Sequence, residues 1–189
     1  MKPINHFWFP MKNMNRWLFL LSILFVISSC TPDQAAEQGD PVSADSDSLA
    51  ITGVLDELNK AAAEADFNRY FDLYQEDAIF TGTEAGERWN KKQFMDYARP
   101  FFEKGKAWNF QSIDRHIYIH AHQDIAWFDE LLLTQMKLCR GSGVLVKENN
   151  KWKIQQYILS ITVPNDVLDK VISTKANAED SFAEKIMKH

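Results

Sequence analysis

The sequence predicts an α+β domain in which helices come first and a run of long strands follows. Two observations carry this. Between Leu49 and Phe102, apolar residues recur at three- and four-residue spacing, the period of a helix face. From Trp108 to Val163, apolar and polar residues alternate in long stretches separated by short turns, the period of strands.

The first helix is expected from about Leu49 to Ala65, with Ile51, Val54, Leu55, Leu58, Ala62 and Ala65 on one face. Asp66 is placed to cap a second, short helix whose Phe67, Tyr70, Phe71 and Tyr74 share a side. "DAIFTGT" reads as a short strand ending at Gly82. Asn90 caps a third helix, with Gln93 three residues on completing a variant capping box. Its stripe is Phe94, Tyr97, Ala98, Phe101 and Phe102, and Pro100 is expected to kink the last turn. Strands follow in "WNFQSIDRHIYIHAH", "DIAWFDELLLTQMKL", "GSGVLVKE" and "KWKIQQYILSITV", the last two joined by the tight turn "ENNK". Pro164 ends the sheet, and "NDVLDKVI" begins a C-terminal helix expected to fray into a charged tail. The folded domain is therefore read as 49–164, with 165–189 as helix and tail.

The segment before the domain reads as an export signal. "MKNMNRWLFLLSILFVISSC" carries Lys12 and Arg16, then an apolar run from Trp17 to Ile27 too short for a comfortable membrane span, then small residues before Cys30. The preceding "MKPINHFWFP" adds nothing a signal peptide needs, so translation is expected to start at Met11 or Met14. The "ISSC" box resembles the lipobox of bacterial lipoproteins, which implies a signal peptide over 1–29 and lipid on Cys30; a plain secretory signal is the alternative. Residues 30–48 follow as a tether. From Thr31 to Ser48 there are five acids, two prolines and no bases, too little apolar surface to offset the entropy of ordering. Cleavage before Cys30 would remove three basic residues and leave 18 against 26 acidic ones, a formal charge of −8. That balance argues against a nucleic-acid partner and leaves lipid as the membrane attachment. The expected location is the bacterial cell envelope, exported and lipid-anchored. Cys139, the second cysteine, reads as a small hydrophobe within a strand.

Over Leu49 to Pro164 the order of elements, together with "FTGTEAGERW", "AWFDELL", "CRGSGVLVKENNKWKI" and "YILSITVPND", resembles the SnoaL-like branch of the nuclear transport factor 2-like superfamily. The resemblance implies a cone: three N-terminal helices packed on a strongly curved antiparallel sheet, with an open-ended cavity between. Members include a polyketide cyclase, a steroid isomerase and dehydratases, as well as binding and assembly domains that catalyse nothing. The fold therefore does not choose among functions.

Strand alternation nominates residues for the cavity. If Lys147, Lys153 and Gln155 face solvent, then Val144, Val146, Ile154, Gln156, Ile158 and Ser160 face inward, and the same parity takes in Arg140 and Ser142. Pairing Glu130 near Val144 turns Phe128, Glu130 and Leu132 inward and Asp129 outward; a one-residue slip exchanges the two acids. The expected ligand contacts are thus Glu130, Arg140, Ser142 and Gln156, with Trp108 as a further candidate and with Tyr70 and Tyr74 reaching the same space from the second helix, as the family resemblance implies. An acid in an apolar cone would suit a general base, whereas an adjacent Arg favours orienting a ligand or simply fixing strand register. Glu84, Glu87, Arg88 and Trp89 are candidates for a pocket rim or a braced loop. Trp108, Trp127 and Trp152 are more in keeping with a core. His116, His120 and His122 lack the companion ligands a metal site needs, and neither a phosphate loop nor a nucleotide fingerprint is present, so no metal or cofactor is expected. Gln156 and Ile158 stand where the cyclase branch carries histidine, which weakens an enzyme assignment. Three readings remain: a lipid-anchored domain binding a small, partly apolar ligand; an isomerase, cyclase or dehydratase using a cavity carboxylate; and a homodimeric assembly domain.

Overall fold

Six strands form one sheet in the order β2-β1-β6-β5-β4-β3, and three helices cover its concave side in a computed structural model that describes residues 41–188. The signal over 1–29, the lipidation of Cys30 and the tether up to residue 40 lie outside the described residues. The elements are α1 (Pro41–Ala63), α2 (Phe67–Asp72), β1 (Tyr74–Thr81), β2 (Arg88–Asn90), α3 (Lys91–Glu103), β3 (Gln111–Ile119), β4 (Ile125–Thr134), β5 (Lys137–Glu148), β6 (Lys151–Ile161) and α4 (Leu168–Met187), with a 3-10 turn at Asn165–Val167.

Local chemistry accounts for most of the boundaries. The Asp66 carboxylate accepts from the Arg69 backbone N–H at 3.1 Å, and α2 starts there. Asn90 and Gln93 complete the reciprocal capping box that opens α3. The β5–β6 turn places Asn149 and Asn150 at φ of 49° and 62°, a left-handed pair that asparagine tolerates and that matches the twist of a two-residue hairpin. Pro100 lies inside α3, which continues to Glu103.

Four features depart from the sequence reading. Helix α1 begins at Pro41, upstream of Leu49, because Asp47 has partners in the fold. Its carboxylate takes the Lys147 ammonium at 2.7 Å and the Trp152 indole N–H at 3.0 Å, so the last residues assigned to the tether are part of the domain. Tyr74 opens β1 and does not extend α2. The sheet is mixed, since β1 runs parallel to β6 while every other pair is antiparallel. Finally, α4 continues to Met187, well past the expected point of fraying.

The core is built where the periodicities placed it on the helices. Ile51, Leu55, Leu58 and Ala62 of α1, Tyr70 and Phe71 of α2, and Phe94, Ala98 and Phe102 of α3 are all buried. They meet Phe128, Leu132, Cys139, Leu145, Ile154 and Leu159 from the sheet. Each large side chain so buried contributes about 1.5–3 kcal/mol. The α3 stripe is not uniform: Tyr97 and Phe101 stay 44% and 43% exposed, at the place where the packing opens.

Candidate functional site

The inner face of the sheet is set by small residues and by one bulge. On β5 the buried positions are Cys139, Gly141, Gly143 and Leu145, so Lys147 continues the inner parity and reaches Asp47 of α1. On β6 the partner of Val144 is Gln156 and that of Leu145 is Ile154, which makes Gln155 an extra residue and reverses the parity beyond it. Trp152 and Ile154 point in before the bulge, and Tyr157 and Leu159 after it.

Arg140, Ser142 and Gln156 are therefore not cavity residues. They lie on the outer face, Ser142 across from Asp129 and Gln156 across from Val144. The error traces to Lys147, whose charge suggested solvent although its ammonium is held inside by Asp47.

Glu130 does point inward and is 2% exposed, but its partner is Arg115, directly opposite it on β3. Arg115 Nε donates to Glu130 Oε2 at 2.9 Å; Nη2 stands 2.8 Å from the same oxygen but is not aligned to donate. Nη1 of Arg115 donates to Asp56 Oδ1 of α1 at 2.8 Å. On the other side, the Tyr157 hydroxyl donates to Glu130 Oε1 at 3.2 Å. Burial alone would lower the Arg115 pKa, but Glu130 and Asp56 outweigh it and raise it. The Tyr157 phenol is pushed well above its ordinary value, by burial first and by the Glu130 charge next. Gly141 makes this contact possible, because a Cβ there would lie 2.5 Å from the Tyr157 oxygen and 3.1 Å from Glu130. Arg115 was legible as a charge sharing the parity of Ile117 and Ile119, both of which pack toward the core.

Beyond Tyr157 the packing leaves a cavity of about 240 Å³. For scale, an apolar cavity of about 150 Å³ takes up benzene. Its walls are aromatic: Tyr70 from α2, Phe80 and Trp89 from β1 and β2, Phe94, Tyr97 and Phe101 from α3, and Trp108, Phe110 and Tyr157 from the strand side. Several of these rings are nearly parallel. Phe80 lies at 8° to Tyr157, 8° to Trp89 and 11° to Phe94, and Phe94 lies at 14° to Trp108. Residues with polar groups are Asn59, Thr83, Gln135 and Glu87, besides the hydroxyls of Tyr70, Tyr97 and Tyr157 and the indoles of Trp89 and Trp108.

Of the expected contacts, then, Tyr70 and Trp108 line the cavity. Tyr74 is one layer behind, its hydroxyl 3.1 Å from that of Tyr70. Burial drives both phenols far up in pKa. Glu130 touches the cavity only through Tyr157. Glu87 and Trp89, read from the sequence as candidates for a pocket rim, both line the cavity, and Glu87 also closes its own loop from Gly82 through its backbone. Trp152 is core, whereas Trp127 is 46% exposed on the outer face, stacked on Tyr118 at 5.8 Å.

This geometry has counterparts. A nuclear transport factor 2-like protein of unknown function from Pseudomonas putida superposes with a TM-score of 0.55 and 13% identity, covering 68% of this chain and 94% of the other. A cystatin-like domain from Nostoc punctiforme gives 0.55 at 14% identity, over 76% and 96%. An uncharacterised cystatin-like protein from Caulobacter vibrioides gives 0.54 at 13%, over 69% and 99%. At such identities the likeness is one of fold. A search of the curated proteins found no match. The SnoaL-like domain model matches residues 51–164, more than half of the sequence, from within α1 to the end of the sheet, and the chain belongs to that family.

Proposed function

We propose that this domain binds a small, flat, mainly apolar ligand between the aromatic walls of its cavity. The observation that carries the reading is the aromatic lining of about 240 Å³ of space, with few polar residues among the walls. A pocket of this make-up supplies stacking and burial as its main attraction, with hydroxyl and amide groups setting orientation. Tyr157 already donates its proton to Glu130, so its oxygen offers a ligand an acceptor.

The alternative of an enzyme using the inward carboxylate has less support. Glu130 is held by Arg115 and Tyr157 and does not line the cavity, so it is poorly placed to abstract a proton from anything bound there. The test is calorimetric titration with naphthalene. Single-site, saturable binding is expected, and it should vanish in Ala107→Trp, which fills the cavity. Binding that survives this substitution would place the ligand elsewhere and end the reading.

Anchoring through lipid on Cys30, at the bacterial envelope, belongs to the same proposal and rests on the "ISSC" sequence. Labelling of the expressed chain with a radioactive fatty acid, lost in Cys30→Ser, is the expected result.

A second reading is carried by a different observation. Tyr118, Ile125, Trp127, Leu133 and Leu138 leave between 41% and 47% of their surface exposed on the outer side of β3–β5. Scattered exposed hydrophobes are ordinary, but a cluster on one sheet face suits a protein contact. A second copy meeting this face would make a homodimer, also bringing Arg140 and Ser142 into the contact. Sedimentation equilibrium should show a dimer that Trp127→Lys converts to monomer; a monomeric parent chain would remove this reading.

A further inference from the structure

Glu87 is the one carboxylate among the cavity residues, and no Lys, Arg or His lines the cavity with it. It comes from the short loop between β1 and β2, where Gly82 N–H donates to the Glu87 carbonyl at 2.8 Å and Glu87 N–H donates to the Glu84 carbonyl at 2.9 Å. The side chain folds back over Gly82, where any Cβ would collide with it. One oxygen, Oε2, accepts from the Glu84 backbone N–H at 3.2 Å; the other has no partner among the described residues, and no basic group pairs with the carboxylate. Arg88, next in sequence, takes the opposite face of β2 and is exposed.

Aromatic residues line the cavity together with Glu87. Trp89 and Tyr97 stack at 4.5 Å, and Phe101 follows Tyr97 at 5.5 Å. The Glu87 charge is felt at the Tyr97 phenol, where burial and this carboxylate together raise the pKa. Ring faces carry negative electrostatic potential, so both walls and carboxylate repel an anion and attract a cation. A cation held there would lose part of its water and be repaid by one full charge and several ring faces. A neutral ligand gains nothing from Glu87, and would have to leave its free oxygen beside apolar surface.

We infer that the cavity selects a small organic cation, an aromatic amine or quaternary ammonium, whose positive end sits at Glu87 beside the Trp89–Tyr97 stack while its apolar body enters the cavity. This rests on the ligand-binding reading above and adds the charge of the ligand to it.

Phenyltrimethylammonium and tert-butylbenzene have the same shape and differ by one charge, which makes them the probes. The full-length chain in phosphatidylcholine nanodiscs, with empty discs as blank, should bind the ammonium compound about tenfold more tightly than the hydrocarbon, in the range that aromatic cages with a carboxylate give. The preference should shrink as salt rises, and benzenesulfonate should not bind. In Glu87→Gln the cation-to-hydrocarbon ratio should fall to within about twofold. Equal affinity for the two probes in the parent chain, or a preference that Glu87→Gln leaves intact, overturns the assignment of a cation site while the cavity reading stands. Failure of both probes to bind removes the cavity reading and this inference together.

Discussion

Glu130 is 2% exposed and Glu87 only partly buried, and the fold serves the two carboxylates in opposite ways. Glu130 lies in the wall between the helices and the far half of the sheet, where Arg115 and Tyr157 occupy both of its oxygens. Glu87 lies in the loop before β2 and lines the cavity, where one backbone N–H serves one oxygen and the other has no partner among the described residues. Burying a charge costs several kcal/mol unless partners replace the lost water, so the interior acid has been satisfied by the protein itself. The acid at the mouth, half in water, needs no such partner. The difference teaches where recognition is to be sought: in polar capacity the fold has not used, and not in the most buried charge.

The comparison breaks most visibly at Glu130. Glu130→Ala leaves the Arg115 guanidinium, 10% exposed, with only Asp56 and the Thr52 carbonyl as partners, and should cost about 3–5 kcal/mol in urea unfolding. Glu87→Ala should stay within about 0.5 kcal/mol in the same assay, as surface changes do. Replacing both members, Arg115→Met with Glu130→Leu, should recover most of the loss. Equal effects of the two single alanine substitutions would erase the distinction between the regions.

A smaller effect is expected at the link between them. Gly141→Ala pushes a methyl against the Tyr157 hydroxyl and should cost about 1–3 kcal/mol as overpacking, while Tyr157→Phe, which deletes the donor to Glu130, should cost about 1.5–3 kcal/mol. Because Tyr157 also lines the cavity, Gly141→Ala, which pushes on that ring, should weaken binding of naphthalene, whereas Tyr157→Phe keeps the ring and should leave it unchanged. A Gly141→Ala protein as stable as its parent would mean that the close approach is not tight in solution.

How much of this was legible in the sequence depends on whether the signal was local. The helix stripes of α1 and α3, the caps at Asp66 and Asn90 and the Asn149–Asn150 turn are decided within a few residues, and all were readable. Which of Asp129 and Glu130 faces inward depended on the β4 register, which the sequence leaves open to a one-residue slip; the structure places Glu130 inside with Phe128 and Leu132. Arg140, Ser142 and Gln156 were misread because parity had been carried through Lys147 and through the bulge at Gln155. The first is a charge with a buried partner 100 residues away, and the second leaves no mark in the sequence. Gly141 and Gly143 held the missing clue. A glycine inside a strand signals close approach from above, and here Tyr157 and Phe128 sit over them, which marks their parity as the inner one. The aromatic slot was visible only as residues: Tyr70 and Trp108 were named, but nothing local shows that Phe80, Trp89 and Phe94 stack in parallel.

Asp47 supplies a third carboxylate between these extremes, and the smallest expected effect. Burial by itself would raise its pKa, but the bonds from Lys147 and from the Trp152 indole outweigh that and bring it below the 3.8 of a free side chain. A carboxylate whose folded pKa is depressed contributes stability that is complete above its unfolded value and is lost as pH falls through the folded one. Asp47 should therefore add nothing to the pH dependence at neutrality and a shallow loss below pH 3.8. Asp47→Asn keeps an acceptor for the indole and gives up the charge, so it should cost about 1 kcal/mol or less at pH 7 and flatten the acid limb of the unfolding midpoint. The same substitution tests whether residues 41–48 belong to the domain: if they are only tether, Asp47→Asn changes neither the midpoint nor its acid limb. In that event the clamp from α1 to β5 and β6 would be absent in solution, and Lys147 would face water as its charge first suggested.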